Sequence, residues 1–166
     1  MPQTKNELIL RLQTTTEELL GLISNMDDDT FNRKPENGGW SAAEVAEHLL
    51  IFDKRLNLVL ESAVHPTDRD ITANVAIFTP RVTNREAKLE APPFLIPSGD
   101  RKSVPEITAK IRAERARIIS KITESDLSLH SKEYPHRFFG EMTAQEWVIH
   151  MDLHTKRHIE QLKEMS

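Results

Sequence analysis

Leu8, Leu12, Thr15, Thr16, Leu19, Leu20 and Ile23 recur at the three- and four-residue spacing of one helix face, and predict an amphipathic helix over about residues 4–24. Asp27-Asp28-Asp29 and Pro35-Glu36-Asn37-Gly38-Gly39 then predict a break. Ser41-Ala42-Ala43-Glu44 reads as a capping box, in which the serine and the glutamate three residues on each satisfy an orphan backbone donor. The second helix begins there, buries Val45, Leu49, Phe52, Leu56, Val59 and Leu60, and ends near 62–64, before Pro66. A third starts near Ser103 with Pro105 in its first turn and carries the stripe Val104, Ile107, Ile111, Ile118 and Ile122. Glu114 interrupts that stripe. A fourth opens on a second capping box, Thr143-Ala144-Gln145-Glu146, and lays Trp147, His150, Met151, His154, His158, Gln161 and Leu162 on one face.

Between the second and third helices, residues 65–100 carry Pro66, Pro80, Pro92, Pro93 and Pro97 and read as irregular, with a short helix expected over Ile71 to Phe78. A connection this long inside a compact domain is unusual and often functional. The apolar Phe94-Leu95-Ile96 predicts a packed segment, a flap crossing one end of the bundle. The expected fold is all-α: a four-helix bundle spanning residues 1–166 as a single domain, with one long connection between helices 2 and 3.

Composition narrows the function. With 38% hydrophobic and 29% charged residues the chain reads as an ordinary globular protein, and its 5 glycines favour helix over strand. No apolar run reaches the ~18 residues of a membrane span, and the start of the chain lacks the apolar segment of a signal peptide, so a cytoplasmic, bacterial home is expected. A net charge of −4 argues against nucleic acid as a partner. Arg112, Arg115 and Arg117, with Glu114 among them, read as a solvated face. There is no cysteine, which excludes a protein thiolate nucleophile, a cysteine-rich zinc site and any disulfide; a reacting thiol would have to come from a substrate.

The candidate chemistry lies in histidines. His150, His154 and His158 follow one another at four-residue intervals, and neighbours at that spacing share a helix face. Two such imidazoles can hold one metal ion. The outer two are separated by about 12 Å of helical rise, so the pair is His150/His154 or His154/His158. His48 lies on the apolar stripe of helix 2, where a buried imidazole needs partners for both nitrogens; a metal is one such partner and a hydrogen-bonding core residue is another. An echo links the two helices, since His48 and His150 each stand seven residues after a cap. Parallel helices with level caps would set His48 beside His150. The zincin pattern fails at His154-Thr155-Lys156-Arg157-His158, and Glu44 and Glu146 stand one residue too far from their histidines for a di-iron Glu-x-x-His motif.

Trp40-Ser41-Ala42-Ala43-Glu44-Val45-Ala46-Glu47-His48-Leu49 resembles the W-S-x-x-E-x-x-x-H-L start of helix 2 in DinB/YfiT-like proteins. His136 to Thr143 is similar to their H-P-x-x-G-x-L-T segment, departing from it with Arg137 in place of proline, and His154 to Leu162 is similar to their H-x-x-x-H-x-x-Q-I ending. The resemblance implies a bundle with one divalent metal ion on His48, His154 and His158, while the cap spacing leaves His150 as the alternative ligand. Zinc or nickel is expected first, iron or manganese next. It also implies frequent homodimers. Its members include thiol S-transferases that use bacillithiol or mycothiol, a maleylpyruvate isomerase and proteins described as metal-dependent hydrolases. Two reaction classes follow for a small-molecule substrate: attack by a low-molecular-weight thiolate, or hydrolysis. Glu114 is the candidate for proton transfer, against a reading in which it simply pairs with a neighbouring arginine. The competing functions are a non-catalytic metal-binding or interaction module and a metal-free bundle whose histidines bond to one another.

Overall fold

Four long helices and three short ones make up the computed structural model, which describes residues 3–165. Thr4 caps α1 (Lys5–Ser24) by a full capping box with Glu7. Asp27 does not merely break the chain: its carboxylate accepts from the Thr30 amide at 2.7 Å and caps a five-residue helix, α2 (Asp28–Asn32), which drives Phe31 into the core. Ser41 caps α3 (Ala42–Ser62) through the Glu44 amide. The Glu44 carboxylate turns instead to Lys34 at 3.0 Å, so only half of that expected box forms. α4 (Val75–Thr83) is the short helix of the connection, displaced from the predicted Ile71–Phe78. Asp70 accepts from both the amide and the hydroxyl of Thr72 and holds residues 71–74 in turns. One 3-10 turn follows at Pro93–Leu95, then α5 (Val104–Glu124), capped by Ser103 and started by Pro105. The capping box of α6 (Ala144–Met165) is complete, with Thr143 and Glu146 exchanging bonds of 3.0 and 3.1 Å. Among the described residues there are six α-helices and no strand.

Helices α1, α3, α5 and α6 form the bundle, all-α as its patterning predicts. Their directions follow from their side-chain pairs. Gln3 with Gln145 and Arg11 with Asp152 make α1 and α6 parallel. Asp53 with Arg115 and Glu61 with Lys121 make α3 and α5 parallel. Phe52 lies near Trp147 and His150 while His48 lies near His158, so α3 and α6 are antiparallel. Joining two parallel helices of 21 residues obliges the connection to run back along roughly 30 Å of bundle. It therefore runs lengthwise rather than across one end, packing α4 along α6 and Leu95 onto α3. Phe94 and Ile96, expected to pack down with Leu95, are half exposed.

The core separates into two apolar clusters, one with Leu8, Leu12 and Ile118, the other with Leu19, Ile23 and Ile111. Between them lies a buried polar layer with one residue from each bundle helix. Arg115 of α5 donates to Asp53 of α3 at 2.9 and 3.2 Å, to Thr16 of α1 at 3.2 Å and to Thr155 of α6 at 2.9 Å. Arg115 is thus not part of a solvated face. Only Arg112, bound to Glu17, and Arg117, near Glu114, are. Arg115 is 1% exposed and Asp53 0%, so removing either partner strands the other charge out of water. Asp53→Ala should cost about 3–5 kcal/mol of unfolding free energy in urea. The paired replacement Asp53→Leu with Arg115→Met should cost much less, and equal losses in the two would contradict this account.

Candidate metal centre

His48 sits two turns into α3 on its buried stripe; His154 and His158 sit one turn apart on the facing side of α6. The three rings meet edge to edge, with centroids 4.7–4.9 Å apart. Nε2 of His154 lies 3.0 Å from Nε2 of His48 and 3.2 Å from Nε2 of His158. One ligand atom from each histidine lies within 4.8 Å of the others.

The hydrogen bonds on the far side of the rings decide where the protons are. Nδ1 of His48 lies 2.8 Å from the carbonyl oxygen of Leu95, and Nδ1 of His158 2.8 Å from Oε1 of Gln161. Both oxygens only accept, so both Nδ1 atoms carry the proton and both Nε2 atoms present lone pairs. A neutral His154 has one proton to offer from Nε2 and can satisfy one neighbour but not both. Its own Nδ1 is buried without a partner. Extra protons are unavailable at neutral pH. Burial pushes His48 down, and it pushes His158 down to about 3 with help from His48. Burial, then the neighbouring His158 and His48, hold His154 well below its ordinary value. Three converging lone pairs without enough protons between them fit a divalent cation. The two N···N spacings to His154, 3.0 and 3.2 Å, are near the roughly 3.3 Å edge that ~2.0–2.1 Å metal–nitrogen bonds give a tetrahedron. Orientation of each ligand by a carbonyl or amide behind it is the usual support for such a site.

The structure brings together His48, His154 and His158, and leaves His150 out. Antiparallel packing is the reason: residues later than His48 on α3 meet residues earlier than His154 on α6, so the shared cap spacing does not align His48 with His150. His150 stacks on Phe52 at 5.9 Å and 12° and meets Phe78 and His136 edge-on at 5.2 and 5.0 Å. Glu114 is not brought to the cluster either. It accepts from Asn57 at 2.8 Å, faces Arg117 at 3.6 Å and lines neither cavity described below, so the carboxylate expected for proton transfer is elsewhere.

A cavity of about 210 Å³ opens against the three histidines, with Phe52, Leu95, Phe139 and Trp147 in its wall, His136 and His150 beside them, and Arg55, Arg81, Arg137 and Arg157 around it. Glu90 is the one carboxylate among its lining residues. A second, wider groove, sharing Trp40, Leu89 and Arg157 with the first, also reaches His158, past Gln161. Sequence reading missed the carbonyl of Leu95, which no pattern announces. It also missed the bond from His158 to Gln161, which the three-residue spacing could have suggested.

A family model described as the DinB superfamily matches residues 11–162. An uncharacterized protein, YuaE, from Bacillus subtilis (strain 168) is 27% identical over 155 residues, covering 93% of this chain and 91% of that protein. No solved structure matches.

The depressed imidazoles link folding to pH. Burial holds His136 at about 4 and His150 and His158 at about 3, against about 6.5 in an unfolded chain. Between those values the unfolded state binds more protons, so stability present above pH ~6.5 is lost as pH falls. Urea midpoints of metal-stripped protein should decrease from about pH 7.5 to 6 to 5, a window above most carboxylate titration. A midpoint that holds or rises over that range would contradict the burial of neutral histidines.

Proposed function

The chain belongs to the DinB superfamily, and from that premise we propose that it is a metal-dependent enzyme acting on a small molecule, of the thiol S-transferase or hydrolase type. The observation that carries this reading is the convergence of three imidazole lone pairs at the edge of a lined cavity. A cavity beside the ligands argues for chemistry over a purely structural ion, because catalytic sites keep an open position where structural ones are closed. His48, His154 and His158 hold the ion; Leu95 and Gln161 orient two of them. When bound, a divalent ion supplies the positive charge that lowers the pKa of a water or strips the proton from a thiol. The scarcity of carboxylates in the cavity favours the thiol, which needs no protein base once deprotonated. Phe52, Phe139 and Trp147 exclude water from the reacting centre and give an apolar substrate its contacts. No helix of the described residues is long and apolar enough to cross a membrane.

The test is metal stoichiometry by elemental analysis. Wild type should carry one ion per chain, zinc or nickel first. His48→Ala, His154→Ala and His158→Ala should each lose most of it while helix content by circular dichroism stays near wild type. His150→Ala and His136→Ala should keep it. Chelation should lower the melting temperature yet leave a cooperative transition, because the apolar clusters remain and ligand binding acts by mass action. Full metal in His154→Ala alongside loss in His65→Ala or His130→Ala would move the site elsewhere. Retained metal with no turnover of any thiol or ester substrate would favour the binding-module reading.

The half-exposed Phe94 and Ile96 support a homodimer as the working form. Light scattering should report twice the chain mass at ~100 µM; a monomer at that concentration would count against it.

A further inference from the structure

The turn at residues 136–140 assembles positive charge on the cavity rim. His136 and Gly140 exchange backbone hydrogen bonds of 2.7 and 2.8 Å, and Gly140 takes the φ of 65° that closes the reversal. This puts Arg137 and Phe138 at the tip. Nδ1 of His136 accepts from the backbone amides of Phe138 and Phe139 at 3.1 and 3.3 Å. The neutral ring therefore carries its proton on Nε2, as a donor. The same ring packs on Phe139 at 4.5 Å and on Trp147 at 5.5 Å, both in the cavity wall.

Two guanidinium groups share the Phe138 ring. Arg81 from α4 lies 4.2 Å from its centroid and Arg137 lies 4.4 Å from it. Both line the cavity. Neither forms an ion pair with a carboxylate among the described residues; Arg137 donates to the carbonyl oxygen of Glu90, whose backbone bears no charge. Their field reaches His136, where both cations add to burial in disfavouring a further proton. Arg55, over Phe94 at 4.0 Å and Tyr134 at 5.0 Å, contributes a third guanidinium to the lining. Arg157 is occupied by the carbonyl oxygens of Val82, Asn84 and Ala87. Against these stands one lining carboxylate, Glu90. Like charges gathered on one ring repel until an anion sits between them, and guanidinium groups bind carboxylates through parallel hydrogen bonds.

We propose that Arg81, Arg137 and the Nε2–H of His136 form a subsite for the carboxylate of a small organic acid with an aromatic or similarly apolar body. The body lies along Phe52, Phe139 and Trp147, and its far end reaches the histidine cluster. The proposal rests on the reading of this cavity as a small-molecule site, and it names the class of molecule. Arg137 stands where the DinB/YfiT-like pattern has proline.

Isothermal titration with three probes of one shape tests it: 2-naphthoate, 2-naphthylmethanol and 2-naphthylmethylammonium. Each is titrated into metal-stripped and zinc-loaded protein. Stripped wild type should prefer the acid to the alcohol by roughly a hundredfold, about one tenfold step per arginine, and should reject the amine. Arg81→Gln and Arg137→Gln should each remove about one step, and the double variant both. Arg137→Lys should restore part of the loss. Affinity for the alcohol and the melting temperature should stay near wild type, which separates loss of charge from loss of fold. Three results overturn the subsite: no binding of the acid, equal affinity for acid and alcohol, or a preference that needs zinc and survives in the double variant. Zinc content, measured on the same samples, keeps the two readings apart. A chain that binds no zinc yet keeps the arginine-dependent preference would sink the metal centre and spare the subsite.

Discussion

The buried guanidinium of Arg115 ties the four bundle helices to one another at one level, through Thr16, Asp53 and Thr155. A layer of this kind is expensive: burial pushes the Asp53 carboxyl up against the pull of Arg115, and an apolar replacement of similar shape is often as stable. Its value lies in register. Apolar stripes slide past one another with little change in buried area, whereas hydrogen bonds to a planar guanidinium are met at one setting only. Thr155 follows His154 directly, and Asp53 lies five residues beyond His48 on α3. The setting that satisfies Arg115 is therefore the one that holds His48 opposite His154 and His158.

The long connection is a consequence of the same arrangement. With α3 and α5 parallel, the chain must travel the length of the bundle before it can re-enter, and it spends that distance on the site. α4 packs along α6 and places Phe78 against His150. Arg157 then holds the chain leaving α4 by three carbonyl oxygens. Farther on, Leu95 turns its carbonyl to His48. The connection supplies part of the cavity wall and the carbonyl that orients His48.

Electrostatically the centre inverts the rest of the molecule. The chain carries a net charge of −4, yet the cavity gathers neutral imidazoles, four arginines and a single lining carboxylate. Neutral imidazoles would leave a bound dication uncompensated, and the arginines around the cavity would add to its charge. Under the proposed function, charge compensation would come from what enters, an anionic substrate or nucleophile. The burial that keeps the histidines unprotonated also keeps them competent to bind metal, since a ligand must offer a free lone pair.

Amphipathic periodicity determined the four long helices, their buried faces and the caps at Ser41, Ser103 and Thr143, because those are local properties of spacing and of neighbours along the chain. It also marked His154 as common to both possible pairs. The choice between His150 and His158 lay beyond it. The cap echo between helices 2 and 4 pointed at His150 and was overruled by helix direction, which the lengths and packing of the connections decide. Arg115 and Glu114 stand side by side in a charged run, and nothing local distinguishes the one buried at the bundle axis from the one turned to Asn57 and Arg117. Asp27 read as a breaker and acts as a cap, since the same carboxylate that disfavours a helix interior can accept from the first amides of the next helix. Protonation of His48 and His158 at Nδ1 depends on oxygens at Leu95 and Gln161. The first of these is a backbone atom 47 residues away from the ring it orients, and only the folded chain brings the two within a hydrogen bond.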